Sequence, residues 1–323
     1  MELLKLLIPT PLGYILGWIN GFVNNYGVAI ILFTILVKLI LLPLGLKQQK
    51  SMTKMQRIQP KLKEIQDKYQ YDQNKASQET MKLYKEYGVN PAGGCLPLLI
   101  QFPILIGLYN VISYPLTYML HFSEKKVEAL KKTYDLTQAA ASRTAEVIIA
   151  TKEKLLNFDF FGLDLSEIPM ENIKAFLAGE AGVATLLILI IPVVSTVTTY
   201  LSSKITTYMN NTKKEEKAEE KVHQRVLSPD QKTTPGSGNA ESMTKTMTLM
   251  MPIMTLWITV TVPSTLGLYW TISNILSLGQ TILLNGYYNK KLAAEIAEQD
   301  AEREKKLLEK QKKYNITKKK KRG

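Results

Sequence analysis

Residues 26–46 read YGVAIILFTILVKLILLPLGL. At 1.5 Å per residue, about 20 residues cross the ~30 Å hydrocarbon core of a bilayer, so the run is long enough to span a membrane as a helix. Its one charge, Lys38, lies past the middle. An ammonium there costs at least ~2.5 kcal/mol on insertion scales, so Lys38 is expected to face protein or water. The plainer alternative is snorkelling, with the side chain reaching toward the nearer surface.

Four further apolar runs follow: 96–120, with Pro97, Pro103 and Pro115; 183–201, with Pro192; 247–262, which is short for a span; and 265–285. Prolines inside spans imply kinked helices whose freed carbonyls are bonded by neighbours or water. The fold class expected is therefore an all-α membrane protein with five transmembrane helices. Residues 1–25, broken by Pro9 and Pro11, read as an interfacial helix anchored by Trp18 rather than as a signal peptide. The mean hydropathy of the 323 residues is −0.05, which hides this segregation of apolar runs from charged stretches.

Charge fixes the expected orientation. Lys and Arg outnumber Asp and Glu by 10 to 5 in residues 47–93, by 8 to 6 in 202–245 and by 13 to 6 in 286–323, whereas 120–180 holds 8 against 10. Five alternating spans put the first three of these on one side. The positive-inside rule makes that side the cytoplasm, with the N-terminus outside the plasma membrane and the C-terminus inside. The loop at 47–93 carries Met52, Met55, Ile58, Leu62 and Ile65 at helical spacing, then Met81, Tyr84 and Tyr87, and predicts a cytoplasmic helical hairpin with an apolar seam. The cytoplasmic loop at 202–245 begins as a charged helix and becomes a flexible linker at SPDQKTTPGSGN, 228–239. Residues 121–182 form an extracytoplasmic loop, and 286–323 a basic cytoplasmic tail ending KKYNITKKKKRG.

The net charge of +13 favours acidic counter-surfaces: membrane lipids with anionic headgroups, RNA, or a ribosome; no DNA partner is expected. Cys95 is the sole cysteine, so no intramolecular disulfide forms, and His121 and His223 lack metal-ligand spacing. There is no P-loop, H-E-x-x-H or G-x-S-x-G motif. No cofactor is expected and the chain reads as no enzyme. The polar residues of the spans are its chemistry. Thr34 is one turn before Lys38. Gln101 lies near the cytoplasmic end of the second span. Ser195, Thr198, Thr199 and Ser202 recur in the third, and Ser273, Asn274, Ser277, Gln280 and Thr281 in the fifth. Singly, such hydroxyls usually serve helix packing. Their shared depth in the inner half points to a hydrophilic groove open to the cytoplasm.

Several stretches resemble the YidC/Oxa1/Alb3 insertase family: ILFTILVKLILLPLGLKQQKSMTKMQRIQPKLKEIQDKY (31–69), LYKEYGVNPAGGCLPLLIQFPILIGLYNVI (83–112), MMPIM (250–254) and PSTLGLYWTISNILSLGQ (263–280). FDFFGLDLSEIP (158–169) is similar to the family's stretch before the third span. These stretches hold 104 of the 323 residues and stand in the family's order and spacing, and the five-span form is similar to Gram-positive members. It implies a substrate groove through which nascent membrane proteins enter the plasma membrane, with chaperone action and a Sec translocon as further expectations. It maps Lys38 onto the family's first-span cation, usually Arg, Thr34 onto a substrate-facing position, Tyr269 and Trp270 onto the last span's aromatic pair, and Thr198 and Thr199 near a position that often carries Gln. Lysine in place of arginine is a departure, because Lys is a point charge that can lose its proton when buried. A small-solute transporter or channel is the alternative, and the absence of two matching halves argues against it.

The orientation is testable in a chain lacking Cys95. Single cysteines at Lys126 and Ser237 are expected to react with membrane-impermeant maleimide from opposite faces, outside and inside respectively. Reaction of both from one face contradicts five alternating spans.

Overall fold

The computed structural model describes the backbone of residues 8–90, 96–136, 145–211 and 239–320. Cys95, His223 and most of the expected linker lie outside the described residues. The elements are, in order, α1 Pro9–Val23, α2 Tyr26–Lys68, α3 Gln73–Glu86, α4 Leu96–Ser113, α5 Pro115–Tyr118, α6 Glu124–Thr133, α7 Ala145–Lys152, strands β1 Asp159–Phe160 and β2 Leu163–Asp164, α8 Pro169–Leu177, a 3₁₀ helix Val183–Leu189 running into α9 Ile190–Asn211, α10 Asn239–Thr261 and α11 Ser264–Lys320. Helix dominates, as an all-α reading requires. Among the described residues, two segments suffice by length and composition to cross a membrane: Tyr26–Met55, mean hydropathy 2.6, and Val183–Thr206, mean hydropathy 2.1. Gln101–Ser113 and Met250–Thr261 are shorter apolar helices. The start of α11 is diluted by Ser273, Asn274, Ser277, Gln280 and Thr281, so its polar residues weaken the signal of a span.

Two compact units are present. The first draws on Met1–Pro43, Leu96–Lys232 and Gly238–Gly279. Its core joins Leu16, Tyr26, Ile30, Phe33, Leu108, Ile112, Leu116, Ile149 and Tyr269. Proline at the first turn starts α1, and Asn24, at φ 47°, ends it by returning its N–H to the Asn20 carbonyl. Helix α1 crosses α5 at very close range: a Cβ at Gly13 would sit 2.3 Å from the Tyr118 carbonyl oxygen, so only glycine fits. Within the 96–120 run, α4 stops at Ser113. Tyr114 precedes Pro115 and adopts φ −127°, ψ 60°, as the pyrrolidine ring disfavours the helical conformation before it. Behind this break the buried Glu146 of α7 accepts hydrogen bonds from the Thr117 N–H (2.9 Å) and hydroxyl (2.7 Å). The described parts of 121–182 thus join the unit's core through Val127, Val147, Ile149 and Phe158.

The second unit comprises Leu44–Cys95, Thr233–Ser237 and Gln280–Gly323. The end of α2 and α3 meet through Ile58, Leu62, Leu83, Tyr87 and Val89, flanked by Met55, Ile65 and Tyr84. One expected seam residue is corrected: Met81 is exposed and Leu83 takes its place. The Asp72 side chain, accepting from the Lys75 N–H, caps α3; Leu83 and Tyr87, four residues apart, centre its buried stripe, and Met81 lies off it. The sequence also gave no sign that α11 joins this cluster. Ile296 packs in it, Lys54 pairs with Glu295, Asp300 accepts from both Lys61 and the Tyr87 hydroxyl, and Arg303 lies 3.5 Å from Glu86.

These carboxyls are outside any apolar run and titrate usefully. The Lys54 ammonium holds Glu295 below its ordinary range. Partial burial pushes Asp300 up, but Lys61 and the Tyr87 hydroxyl outweigh it and hold it low. Groups depressed in the docked state stabilise it fully above the ordinary carboxylate range, about pH 4, and lose that contribution as pH falls through the depressed values. A spin label on the exposed Ala301 is therefore expected to keep constant mobility from neutral pH to about pH 5 and to loosen below about pH 4. Unchanged mobility on full acidification would show that the apolar contact alone holds α11.

Candidate functional site

Lys38 stands twelve residues after Tyr26, so it lies about 18 Å along α2. Ser277 stands thirteen residues after Ser264, about 20 Å along α11. The two meet: the Lys38 Nζ donates to the Ser277 Oγ at 2.7 Å. Lys38 is partly buried, and this bond goes to a neutral hydroxyl, not to a carboxylate. A charge in apolar surroundings requires such bonding or water, because desolvation without a partner is costly.

A second polar pair lies on the same stretch of α11. Gln101 Nε2 of α4 donates to the Tyr269 hydroxyl at 2.8 Å. Tyr269 is otherwise buried in the core, and Ser273, buried one turn later, shares a hydrogen bond with the same hydroxyl. Positions 269, 273 and 277 recur every four residues and therefore line one face of α11. Trp270, partly buried, shares a face with Asn274 and Ser277.

Between α9 and α11 the polar groups are engaged with each other. Ser195 Oγ donates to the Gly267 carbonyl at 2.9 Å and lies 2.6 Å from Thr271 Oγ1. Asn274 Nδ2 donates to Thr199 Oγ1 at 2.7 Å. These bonds stitch two helices together. Thr271, absent from the sequence expectations, is central to the stitch, and its spacing of four from Gly267 lets it donate to that carbonyl as well, at 2.9 Å.

Not all expected groove residues gather. Thr34 is fully buried and donates to the Ile30 carbonyl at 2.6 Å, so its hydroxyl serves its own helix. Thr198 donates to the carbonyls of Val194 and Ser195, again within its own helix. The structure thus brings Lys38 to Ser277, Gln101 to Tyr269 and Ser273, and Thr199 to Asn274, and leaves Thr34 and Thr198 to backbone bonds. The collection offers an ammonium, an amide and hydroxyls. It can bind and orient polar groups, and holds no activated nucleophile.

A model of the 60Kd inner membrane protein family matches residues 18–291. A protein of Listeria innocua named membrane protein insertase YidC 2 is 33% identical over 286 residues, spanning 87% of this chain and 71% of that one. A Listeria monocytogenes protein named membrane protein insertase YidC 1 is 32% identical over 299 residues, spanning 89% of this chain and 76% of that one. A Syntrophus aciditrophicus protein named membrane protein insertase YidC is 47% identical over 104 residues, only 19% of its length. A crystal structure of an active YidC insertase with its first transmembrane domain resolved is 24% identical, with a TM-score of 0.48, over 84% of this chain and 44% of that one. The match over most of the length, with the two Listeria relatives, places this chain in the 60Kd inner membrane protein family, that of the YidC/Oxa1 insertases.

Proposed function

We propose that this chain inserts newly made proteins into the bacterial plasma membrane and assists their folding there. The observation that carries the reading is the Lys38–Ser277 pair within an apolar helix, in a chain of the insertase family. A polar segment of an incoming chain is costly to move through hydrocarbon because its hydrogen bonds to water are lost. A groove that presents Lys38, Ser277, Gln101, Tyr269 and Ser273 lowers that cost by offering replacement partners. Trp270 and Thr198, both partly buried, border it, while the buried Thr34 and Thr199 belong to the frame behind it. No bond is made or broken, and the apolar part of the substrate passes sideways into lipid.

In this reading five spans run with the N-terminus outside, and Tyr26 and Ser264 mark the outer ends of two of them. Depths of about 18 and 20 Å then set Lys38 and Ser277 in the inner half of a ~30 Å core, within reach of the cytoplasm. The basic tail meets the ribosome, and the Sec translocon is a partner for substrates that need it.

Lys38 carries the test. Lys38→Arg is expected to retain activity, since it keeps the charge. Lys38→Ala is expected to lower insertion of a single-span substrate with an acidic translocated segment severalfold, and of a matched neutral substrate less, without unfolding the protein. Insertion is measured in cells depleted of their own insertase. Parental insertion of both substrates by Lys38→Ala would reduce Lys38 to a snorkelling anchor.

A further inference from the structure

The loop FDFFGLD, 158–164, carries a feature that neither the core nor the polar seam uses. Strands β1 and β2 pair antiparallel, Phe160 with Leu163, leaving Phe161 and Gly162 as a two-residue turn. Both turn residues have positive φ, 54° at Phe161 and 79° at Gly162. Two-residue turns of this hand favour Asn-Gly, and a bulky aromatic at the first position is backbone strain that needs a reason. Packing does not supply one. Phe161 meets the Phe160 ring edge-on at 4.7 Å, yet the residue stays 91% exposed.

The place of the turn is fixed by bonds. Tyr26, the first residue of α2, donates its N–H to the Asn157 carbonyl at 2.9 Å, and Asn25 Nδ2 donates to the Asp159 carbonyl at 2.9 Å. The Phe160 ring lies so close to Gly27 that a Cβ there would be 2.2 Å from it. Leu165 packs with Ile188 and Ile191, where the 3₁₀ helix becomes α9. Ser264 and Thr265, which open α11, bond the carbonyls of Glu167 and Leu165. The hairpin is therefore fastened at Tyr26, where one of the two described segments long and apolar enough to cross a bilayer begins, and at Ile188 and Ile191 in the first half of the other, Val183–Thr206. At the same end α1 exposes Trp18 and Phe22, which contact each other edge-on.

We propose that Phe161 is a membrane-interface anchor, its ring seated at the headgroup–acyl boundary of the leaflet where α2 and α9 begin. Interfacial segments seat Phe, Leu and Trp side chains at the headgroup–acyl boundary, and the amphipathic indole of Trp18 favours the same level. A rigid turn bonded to the helix ends holds the ring at that level, so contact with lipid offsets the turn's strain. The occupant is lipid because the turn stands at the ends of membrane-crossing segments and its tip is a bare hydrocarbon ring. The proposal rests on those segments being spans and is independent of the groove.

The test uses the full chain lacking Cys95, reconstituted in phosphatidylcholine–phosphatidylglycerol vesicles, with nitroxides at Phe161→Cys, at Lys125→Cys on α6 and at Val197→Cys on α9. Collision with oxygen, which concentrates in lipid, is compared with collision with a water-soluble nickel chelate. The label at 161 is expected to favour oxygen and to meet nickel severalfold less than the label at 125, while lying shallower than the label at 197. Nickel access at 161 equal to that at 125 overturns the anchor, and shielding of 161 from both reagents overturns it in favour of a protein contact. Nickel access at 197 overturns the spans themselves, and so is told apart from failure of the anchor alone. Should the nitroxide disturb the turn, a Phe161→Trp indole, in a chain whose Trp18, Trp257 and Trp270 are changed to Phe, is expected to be quenched by lipids brominated near the headgroup. Lack of that quenching also contradicts the proposal.

Discussion

A cation inside an apolar helix must be given a partner, and the first unit is arranged around that demand. Lys38 is answered by Ser277 across 2.7 Å, which brings α2 and α11 side by side at that depth. Around this contact α11 turns a polar face inward, with Tyr269 and Ser273 toward Gln101, while Asn274 reaches Thr199 of α9. Such hydrogen bonds between helices satisfy polar groups that would otherwise be buried without a partner.

The hydroxyls divide by what they bond. Thr34 and Thr198 return to their own carbonyls, and Ser195 with Thr271 locks α9 against α11. These are structural uses, and they hold the helices in register. The Lys38–Ser277 and Gln101–Tyr269 pairs, each joining side chains of two helices, are the groups proposed to receive an incoming polar segment. That division narrows the proposed groove from nine residues to a working centre of four, with the remainder as its frame.

Much of this was legible in the sequence for simple physical reasons. The apolar runs, Lys38 as the one charge within the first of them and the clustering of polar residues on α11 all follow from hydropathy and helical period. The seam of Ile58 and Leu62 was likewise readable from spacing, but Met81 was misplaced because Leu83 and Tyr87, four residues apart, centre the buried stripe of α3. The docking of α11 on the hairpin through Ile296, Glu295 and Asp300 was invisible, since it pairs residues more than two hundred positions apart. The break at Tyr114 was foreshadowed by Pro115, yet the support of α5 by the buried Glu146 comes from a loop whose fold no periodicity announced. The strain at Phe161 was equally hidden, because a Phe-Gly turn does not carry the usual turn signal.

The central claim is that the polar face of α11 meets the substrate. Two tryptophans make a matched comparison: Trp270 is partly buried on the face shared with Ser277, and Trp257 of α10 is 68% exposed. The most direct measurement replaces each in turn by a photoreactive benzoylphenylalanine and illuminates the full chain with ribosomes stalled on a single-span nascent protein. Crosslinks to the nascent chain from position 270, well above those from position 257, are the predicted result. Equal yields from the two positions, or none from 270, would contradict a substrate groove at this face.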